Sequence, residues 1–346
     1  MQPSAVQCVE ATSPGFEGRG VRHDPSHESA TTDPIASFLG SVSLAPRQSH
    51  KSLTLWPILR TGAPSKAPQY VTLSEASARG QLAIDELREG ATVPHVRATN
   101  RGDVAVLVLF GEEIRGAMQN RIANASFLVP PHQEIVLDVS CVEHGRWSRR
   151  PGAAFASTGT VMSSDVRRRM HSHVSMSRRA GGGFRADQGE VWSEIGERVR
   201  YSQADSPSGA YADYVATRQR DLEEMAAAFR PLPDQVGFVA CLGEEVAGLE
   251  VIGRPEVFAK AFPGLLRGYL IDAIDHALVR RRSARTSPAS RFDAPEPFLE
   301  ALAGAPVETS ASLGLGADLR IEDGRVSACA LVAGEVVHLT AFPAAG

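Results

Sequence analysis

Apolar and polar residues alternate along some segments of the chain, as in strands, and follow helical spacing along others. Alternating or short apolar runs occupy residues 52–61, 69–73, 91–144, 234–253 and 312–342. Helical spacing occupies residues 74–88, 188–203, 209–229 and 254–282. Strands and helices are therefore grouped rather than strictly alternating, which predicts an α+β fold of mostly antiparallel β-sheets with packed helices.

The same pattern predicts one folded domain behind a tail. Residues 1–33 are rich in Pro, Gly, Ser and Thr, and we expect them to be disordered. Residues 34–345 form a single α+β domain, and two related lobes at 34–150 and 190–345 are the alternative division. A basic stretch rich in Arg, Ser and Gly, residues 148–189, is expected to be a flexible loop that joins the lobes.

A short motif recurs along the chain. Residues 106–121 read VLVLFGEEIRGAMQNR, and residues 238–253 read FVACLGEEVAGLEVIG. Gly-Glu turns at 111–113, 243–245 and 334–335 are interpreted either as tips of related hairpins or simply as good turn formers. Since the first copy alone continues into Gln-Asn-Arg, we expect that copy to line a site and the second to be structural.

Net charge, cysteine spacing and the length of the apolar runs argue against several classes of protein. The 346 residues carry a net charge of −4, so no global charge attracts nucleic acid or an anionic membrane surface. Four separated cysteines without a CxxC pair argue against a disulfide framework and fit a reducing compartment. Apolar runs are too short to cross a bilayer, so we expect a cytoplasmic protein that makes no membrane contact.

The sequence offers few motifs that would bind a metal or a cofactor. His171 and His173 lack acidic or cysteine neighbours in the sequence, and we expect neither a metal nor a cofactor. The sequence also lacks a P-loop, a G-x-S-x-G nucleophile motif and an HExxH zinc motif.

The first candidate site follows the Gly-Glu turn. If the chain continues there as one strand, a single face carries Glu113, Arg115, Gln119 and Arg121. Arginine matches phosphate or carboxylate oxygens through two parallel hydrogen bonds, and glutamine both donates and accepts. A merely solvated strand face is the alternative.

The second candidate is VSCVEHGRW, residues 139–147. Strand alternation favours Cys141 as a buried packing residue. A nucleophilic thiol is the alternative, because His144 or Arg146 would lower its pKa. Glu143 is a candidate general base or ribose-binding acid. Trp147 would stack on a base or fill the core.

Taken together, the segments GEEIRGAMQNR, SFLVPP and VSCVEHGRW resemble the ARG and rhodanese-phosphatase-superfamily-associated protein domain, or ARPP family. The later segments EVWSEI, QVGFVACLGEEVAGLEVIG and VVHLTAF extend the resemblance to residues 34–345. Association of the family with ADP-ribosylglycohydrolase and phosphatase-like domains implies processing or binding of NAD-derived or ADP-ribose-like nucleotides.

The resemblance also implies which residues matter. The positions that match the family motif are Glu112, Gly116, Gln119, Arg121, Cys141, Glu143, Arg146 and Trp147. His144 stands where a glutamine is expected, and the insert after Trp147 also departs from the family pattern.

Three functional hypotheses remain open. In the first, a hydrolase of ADP-ribose-like nucleotides uses Arg121 and Arg146 for the diphosphate and Gln119 for a sugar or base. Its acid or base is Glu143 or Glu112, with Cys141 as the nucleophile. The second is a non-catalytic sensor that binds the same small-molecule ligand. The third is an RNA- or partner-binding protein that acts through the Arg-rich segment. The oligomeric state stays open.

Overall fold

The computed structural model describes residues 33–62, 68–87, 94–116, 118–146, 155–282 and 292–344, with no side chains described for 278–282. Of the predicted disordered tail, only Asp33 lies among the described residues. The helices are α1 (Pro34–Leu39), α2 (Leu73–Ala78), α3 (Ser164–Arg179), α4 (Gln188–Ser202), α5 (Tyr211–Ala216), α6 (Gln219–Ala226), α7 (Pro255–Arg282) and α8 (Pro295–Ala303).

The strands form three sheets. The first nine are β1 (Val42–Leu44), β2 (Gln48–His50), β3 (Leu53–Arg60), β4 (Tyr70–Thr72), β5 (Leu82–Glu86), β6 (His95–Asn100), β7 (Ala105–Val108), β8 (Glu112–Arg115) and β9 (Arg121–Ala123). The other nine are β10 (Phe127–Val129), β11 (Glu134–Cys141), β12 (Ala156–Val161), β13 (Gln235–Leu242), β14 (Glu245–Ile252), β15 (Glu308–Ala311), β16 (Ala317–Glu322), β17 (Val326–Val332) and β18 (Val336–Pro343).

The largest sheet has nine strands and draws on both ends of the chain. Its order is β1-β3-β13-β14-β18-β17-β16-β15, with β2 also paired to β3. Strand β3 pairs antiparallel with β13, so strands from both predicted lobes share one sheet. Hairpin loops join β13 to β14 and β17 to β18, as the Gly-Glu turns at 243–245 and 334–335 predict.

The other two sheets are smaller, and the six-stranded one carries the candidate site. The six-stranded sheet has the order β12-β8-β9-β11-β6-β5, and the three-stranded sheet has the order β10-β7-β4. Only the β4–β7 pairing is parallel among the described strands. The α+β prediction with mostly antiparallel sheets is therefore confirmed.

Local sequence signals explain several helix ends. Asp33 caps α1 by accepting a hydrogen bond from Ile35 N, and Pro34 fills the first helical position. Thr72 and Glu75 form a reciprocal capping box at the start of α2. Asp187 accepts from Glu190 N and so begins α4. These caps fix where each helix leaves its preceding strand or loop.

Helix α7 lies against β12 and β13 and approaches the sheet very closely. A Cβ atom added at Gly264 would lie 1.7 Å from the carbonyl oxygen of Gly159, and one at Gly268 would lie 2.7 Å from that of Met162. Only glycine at these two helix positions permits such contact between backbones.

The helix predicted over residues 74–88 is wrong beyond α2. Helix α2 ends at Ala78, and Gly80 adopts a φ of +65° that turns the chain. Leu82 and Ile84 are then buried two residues apart in β5, which is the alternation of a strand. This segment contains good helix formers, but the burial of its apolar side chains in a sheet outweighs their helix propensity.

The flexible loop predicted over 148–189 is also wrong where the structure describes it. Strand β12 and the sixteen-residue helix α3 occupy most of residues 155–189. Val166, Met170 and Val174 repeat every four residues along α3 and are buried, so the helix has an apolar face. Residues 147–154 lie outside the described part of the chain.

The first Gly-Glu turn is not a hairpin tip. Strand β7 before it pairs with β10 and β4, whereas β8 after it pairs with β9 and β12. Gly111 at this turn has a φ of +77°, and a Cβ atom there would lie 2.4 Å from Cδ of Arg167. This turn therefore passes the chain between two sheets, unlike its two echoes.

A buried ion pair lies behind that turn. Arg167 and Glu250 are both fully buried, and their Nη1 and Oε1 atoms are 2.7 Å apart. The same carboxylate accepts hydrogen bonds from Tyr269 at 2.9 Å and Thr340 at 3.1 Å, and His338 Nε2 lies 3.4 Å from its second oxygen. This network joins α3 and α7 to the large sheet.

Candidate functional site

The motif after the Gly-Glu turn forms a β8–β9 hairpin. Glu113 lies opposite Ile122, and Ile114 lies opposite Arg121. Opposed side chains share a sheet face, and neighbouring side chains along a strand alternate faces. The prediction that Glu113, Arg115, Gln119 and Arg121 share one face is therefore wrong, because the chain reverses between β8 and β9 and places Arg121 on the other face.

Strand β11 completes the cluster around Arg121. Cys141 on β11 lies directly opposite Arg121 on β9. The Nη1 atom of Arg121 donates to Gln119 Oε1 at 2.9 Å and to Cys141 Sγ at 3.2 Å. Gln119 in turn donates to the carbonyl oxygen of Glu143 at 2.8 Å. The structure thus joins four of the residues that the motif indicated.

Glu143 and Arg146 form the second half of the cluster. Arg146 donates through Nε to Glu143 Oε1 at 2.8 Å and through Nη2 to Oε2 at 2.6 Å. Ser208 and the backbone of Asn120 also donate to this carboxylate. Burial raises the pKa of Glu143, but these bonds outweigh burial and hold the pKa below its usual value. Glu143 is therefore an ionised carboxylate near neutral pH.

Arg121 is a buried cation without a close carboxylate. Its residue surface is 1% exposed, and its nearest carboxylate oxygen in the described chain, on Glu86, is 4.0 Å away. Its Nε atom has no hydrogen-bond partner among the described residues. Burial lowers the pKa of Arg121; Cys141 and Glu86 oppose this shift, and the nearby Arg146 adds to it. The two guanidinium groups thus converge on one small region.

Cys141 is fully buried, as the strand alternation favoured. Burial raises the pKa of its thiol, although Arg121 opposes the shift, so the thiol stays protonated at neutral pH. The backbone N–H of Cys141 donates to Gln188 Oε1 at 2.7 Å, and Gln188 Nε2 donates to its carbonyl oxygen at 2.8 Å. Gln188 therefore fixes the end of β11 to the start of α4.

Glu112 lies on the same sheet face as Arg121, with Ile114 between them. Its carboxylate accepts from Leu109 N at 3.0 Å and Ser157 Oγ at 2.7 Å, and not from the arginines of the cluster. Burial raises the pKa of Glu112 to about 7. It is therefore a carboxyl group that can exchange a proton near neutral pH.

Gly116 and Trp147 are the last two residues of the motif. Gly116 is buried, has a φ of +139° and donates its N–H to Asn120 Oδ1 at 3.3 Å, so it shapes the hairpin turn. Trp147 lies outside the described residues. The aromatic residue that the structure does place here is Trp192 of α4, whose ring centroid is 4.4 Å from that of His144.

Sequence reasoning missed the contributions of α4 and of neighbouring turns. Gln188, Trp192, Asn120, Ser208 and Glu86 all contact the cluster or its flanking residues. A signal for Gln188 existed, because Asp187 before it is a recognisable helix cap. The others are brought in by long-range packing that the sequence pattern does not reveal.

The Arg-rich segment is largely neutralised by protein carboxylates. The ion pairs along α3 are Arg167–Glu250, Arg168–Asp165, Arg169–Glu194 and Arg179–Glu308. His171 lies 2.9 Å from Glu322 and 2.7 Å from the carbonyl oxygen of Ala328. Within the described ranges, no group of three His, Cys, Asp or Glu side chains is arranged to hold a metal ion.

Comparison with curated proteins and with solved structures finds no significant match to either. Within the described ranges, no helix has both the length and the apolar character required to cross a lipid bilayer. A model of the ARG and Rhodanese-Phosphatase-superfamily-associated Protein domain matches residues 41–342, which include both halves of the Arg121 cluster. Because this match covers most of the chain, the protein belongs to the ARG and Rhodanese-Phosphatase-superfamily-associated Protein domain family.

Proposed function

We propose that the cluster of Gln119, Arg121, Glu143 and Arg146 binds the phosphate groups of a nucleotide of the NAD-derived or ADP-ribose-like class. The proposal rests on the burial of Arg121 and on the distance to its nearest carboxylate. This guanidinium is 1% exposed, yet its nearest carboxylate oxygen in the described chain is 4.0 Å away. A buried charge without close compensation is costly, and an anionic ligand would offset that cost.

The neighbouring groups suit the same ligand. Arginine offers paired donors to a phosphate, and Nε of Arg121 has no hydrogen-bond partner among the described residues. Arg146 adds a second positive charge nearby, although its Nε and Nη2 atoms donate to Glu143. Gln119 is already oriented by Arg121 and by the carbonyl oxygen of Glu143. Such pre-organised donors reduce the entropy cost of binding.

Binding without chemistry is the form that the geometry supports best. Glu143 is held ionised, so it cannot act as a general acid, and both of its oxygens already accept hydrogen bonds, which makes it a weak general base. A cysteine nucleophile must be a thiolate, and burial keeps Cys141 a thiol. Both residues therefore act here as partners that hold the two arginines.

Titration calorimetry of the full chain with ADP-ribose, NAD and ADP tests the binding proposal. We expect saturable binding that Arg121→Gln and Arg146→Gln each weaken at least tenfold. Arg101→Gln is the matched control, because Arg101 is exposed and lies on a turn outside the cluster. Absence of saturable binding, or wild-type binding by both cluster variants, would reject the proposal.

A hydrolase is the second candidate, favoured by one observation. Glu112 shares the sheet face of Arg121 and has a pKa of about 7, which suits general acid–base catalysis. Incubation with ADP-ribose followed by ion-exchange chromatography would detect turnover. We expect Glu112→Gln to abolish turnover and preserve affinity. If the wild-type protein forms no product, this candidate fails and the binding proposal stands.

An RNA-binding role for the Arg-rich segment receives less support. RNA affinity of this kind depends on cations that are available to phosphates. Four arginines of α3 are instead paired with carboxylates of the same chain. Steep salt dependence of binding to single-stranded RNA would revive the hypothesis.

A further inference from the structure

A second group of arginines lies where β8, β12 and α7 meet. We call Glu113, Arg115, Thr158 and Arg267 the α7 seam. The pairing of β12 with β8 shifts register between Ser157 and Val161, so residues 158–160 form a bulge opposite Glu113. Glu113 and Arg115 lie on the hairpin face opposite to that of Arg121. The seam is therefore separate from the Arg121 cluster.

Helix α7 closes the seam from one side. Gly264 contacts the carbonyl oxygen of Gly159 in the bulge, and Gly268 contacts that of Met162. Arg267 lies three residues after Gly264 and directly before Gly268, so its side chain leaves the helix at the edge of this close contact. The seam is thus built on two rigid elements whose backbones touch.

Glu113 supplies a buried acceptor that the protein does not fully use. The residue is 3% exposed, and its Oε2 atom accepts from Arg115 Nε at 2.9 Å. Thr158 Oγ1 lies 3.5 Å from the same oxygen. The other oxygen, Oε1, is buried and has no hydrogen-bond partner in the described chain. A buried carboxylate oxygen without a hydrogen-bond partner destabilises the folded protein.

Arg267 supplies a cation that is only partly compensated. It is half-buried and donates to the neutral amide of Gln219 at 2.5 Å, and no ion pair joins it to a carboxylate among the described residues. Burial lowers the pKa of Arg267, and Arg115 lowers it further, whereas Tyr211 and Glu113 raise it. Arg115 is bonded to Glu113, and Arg267 lies on the part of α7 that contacts the β12 bulge opposite Glu113, so the seam brings two guanidinium groups to one buried carboxylate.

We propose that the α7 seam is a second binding site, specific for a small hydroxylated phosphate ester such as a sugar phosphate. Arg115 and Arg267 receive the phosphate through planar pairs of donors. A hydroxyl of the same ligand donates to Oε1 of Glu113, which gives that oxygen its partner. The phosphate supplies affinity, and the hydroxyl supplies selectivity over inorganic phosphate.

Titration calorimetry of the full chain with ribose 5-phosphate and with inorganic phosphate tests this proposal. We expect saturable binding of ribose 5-phosphate, weakened at least tenfold by Arg267→Gln. The matched control is Arg220→Gln, an exposed arginine on the neighbouring helix α6, which we expect to change affinity less than twofold. Glu113→Gln should weaken ribose 5-phosphate at least threefold and leave inorganic phosphate within twofold.

Three results would overturn the proposal. The first is the absence of saturable ribose 5-phosphate binding. The second is unchanged affinity in Arg267→Gln and in Arg115→Gln, whose side chain is 44% exposed and whose glutamine replacement keeps a hydrogen-bond donor near Glu113. The third is binding that Arg121→Gln abolishes and Arg267→Gln preserves, since that pattern assigns the ligand to the Arg121 cluster. Near-ultraviolet circular dichroism verifies that each variant is folded.

Discussion

The buried pair of Arg167 and Glu250 offers a sharp test of how the fold is held together. Replacing Arg167 with methionine keeps most of the side-chain volume and removes the cation 2.7 Å from the carboxylate. Tyr269 and Thr340 still donate to Glu250, and His338 Nε2 still lies 3.4 Å from it, but the guanidinium group is lost. The variant therefore leaves a fully buried carboxylate whose charge is uncompensated.

The size of the effect follows from burial. Both side chains are 0% exposed, and removing one partner of such a pair typically costs about 3–5 kcal/mol. Arg167→Met also removes a bond to the carbonyl oxygen of Met162 at 3.0 Å, worth about 1 kcal/mol. Since a domain is stable by about 5–15 kcal/mol, we expect a loss of about a quarter or more of the free energy of unfolding.

Urea unfolding, followed by circular dichroism, measures this loss and its origin. The matched control is Arg179→Gln on the same helix, because the Arg179–Glu308 pair has side chains 45% and 57% exposed and such pairs contribute about 0–1 kcal/mol. In Arg167→Met/Glu250→Gln the second change removes the stranded charge, so the double variant should be less destabilised than the sum of the single ones. Equal costs for the two single arginine variants, or simple additivity in the double variant, would refute the reasoning.

Three further predictions concern the turn and the site. Gly111→Ala should destabilise the protein by about 2 kcal/mol more than Gly80→Ala in urea unfolding, because both glycines have positive φ but only the first has a side chain 2.4 Å from the new Cβ. Glu112 has a folded-state pKa of about 7, above its unfolded value near 4.5, so its contribution to stability is full below pH 4.5 and is lost as pH rises to 7. Glu112→Gln should therefore be more stable than wild type at pH 8 by about 3 kcal/mol and should flatten the dependence of unfolding free energy on pH between 4.5 and 7; a variant with the wild-type pH dependence would contradict this. Gln188→Ala removes both hydrogen bonds to the backbone of Cys141 and should cost about 1–3 kcal/mol, with faster hydrogen exchange at the amide of that cysteine.

Elements with local signals could be predicted from the sequence. The β13–β14 hairpin has apolar strands on both sides of Gly243, whose φ of +66° the turn requires. Helix α4 follows the cap at Asp187. In both cases the signal lies within a few residues of the element, so no knowledge of distant partners is needed.

Helix α3 shows why other elements could not be predicted. Its four-residue apolar repeat at Val166, Met170 and Val174 was present in the sequence, but frequent arginine and serine concealed it. Arg167 is tolerated in the core only because Glu250, 83 positions later, lies beside it. Partners so distant in sequence cannot be inferred from local composition.

The candidate site shows the same limit. The types of residue in the motif indicated an anion site, but their arrangement depends on the register of three strands. Arg121 meets Cys141 because β9 and β11 pair at those positions, and the sequence contains no local record of that pairing. A one-residue change in register would transfer every side chain to the opposite face. Residue chemistry was therefore predictable, and residue geometry was not.

The chain reversal between β8 and β9 links the two proposed sites. It places Arg115 and Arg121, six positions apart in sequence, on opposite faces of one hairpin. Arg146 donates to Glu143 and Asn120 beside Arg121, and Arg267 lies on α7, whose Gly264 contacts the bulge opposite Glu113. Since the two faces share only the hairpin backbone, a side-chain substitution that keeps the strands paired should affect one site and spare the other. Single-site variants should therefore separate the two proposed binding activities, even though one continuous motif supplies residues to both proposed sites.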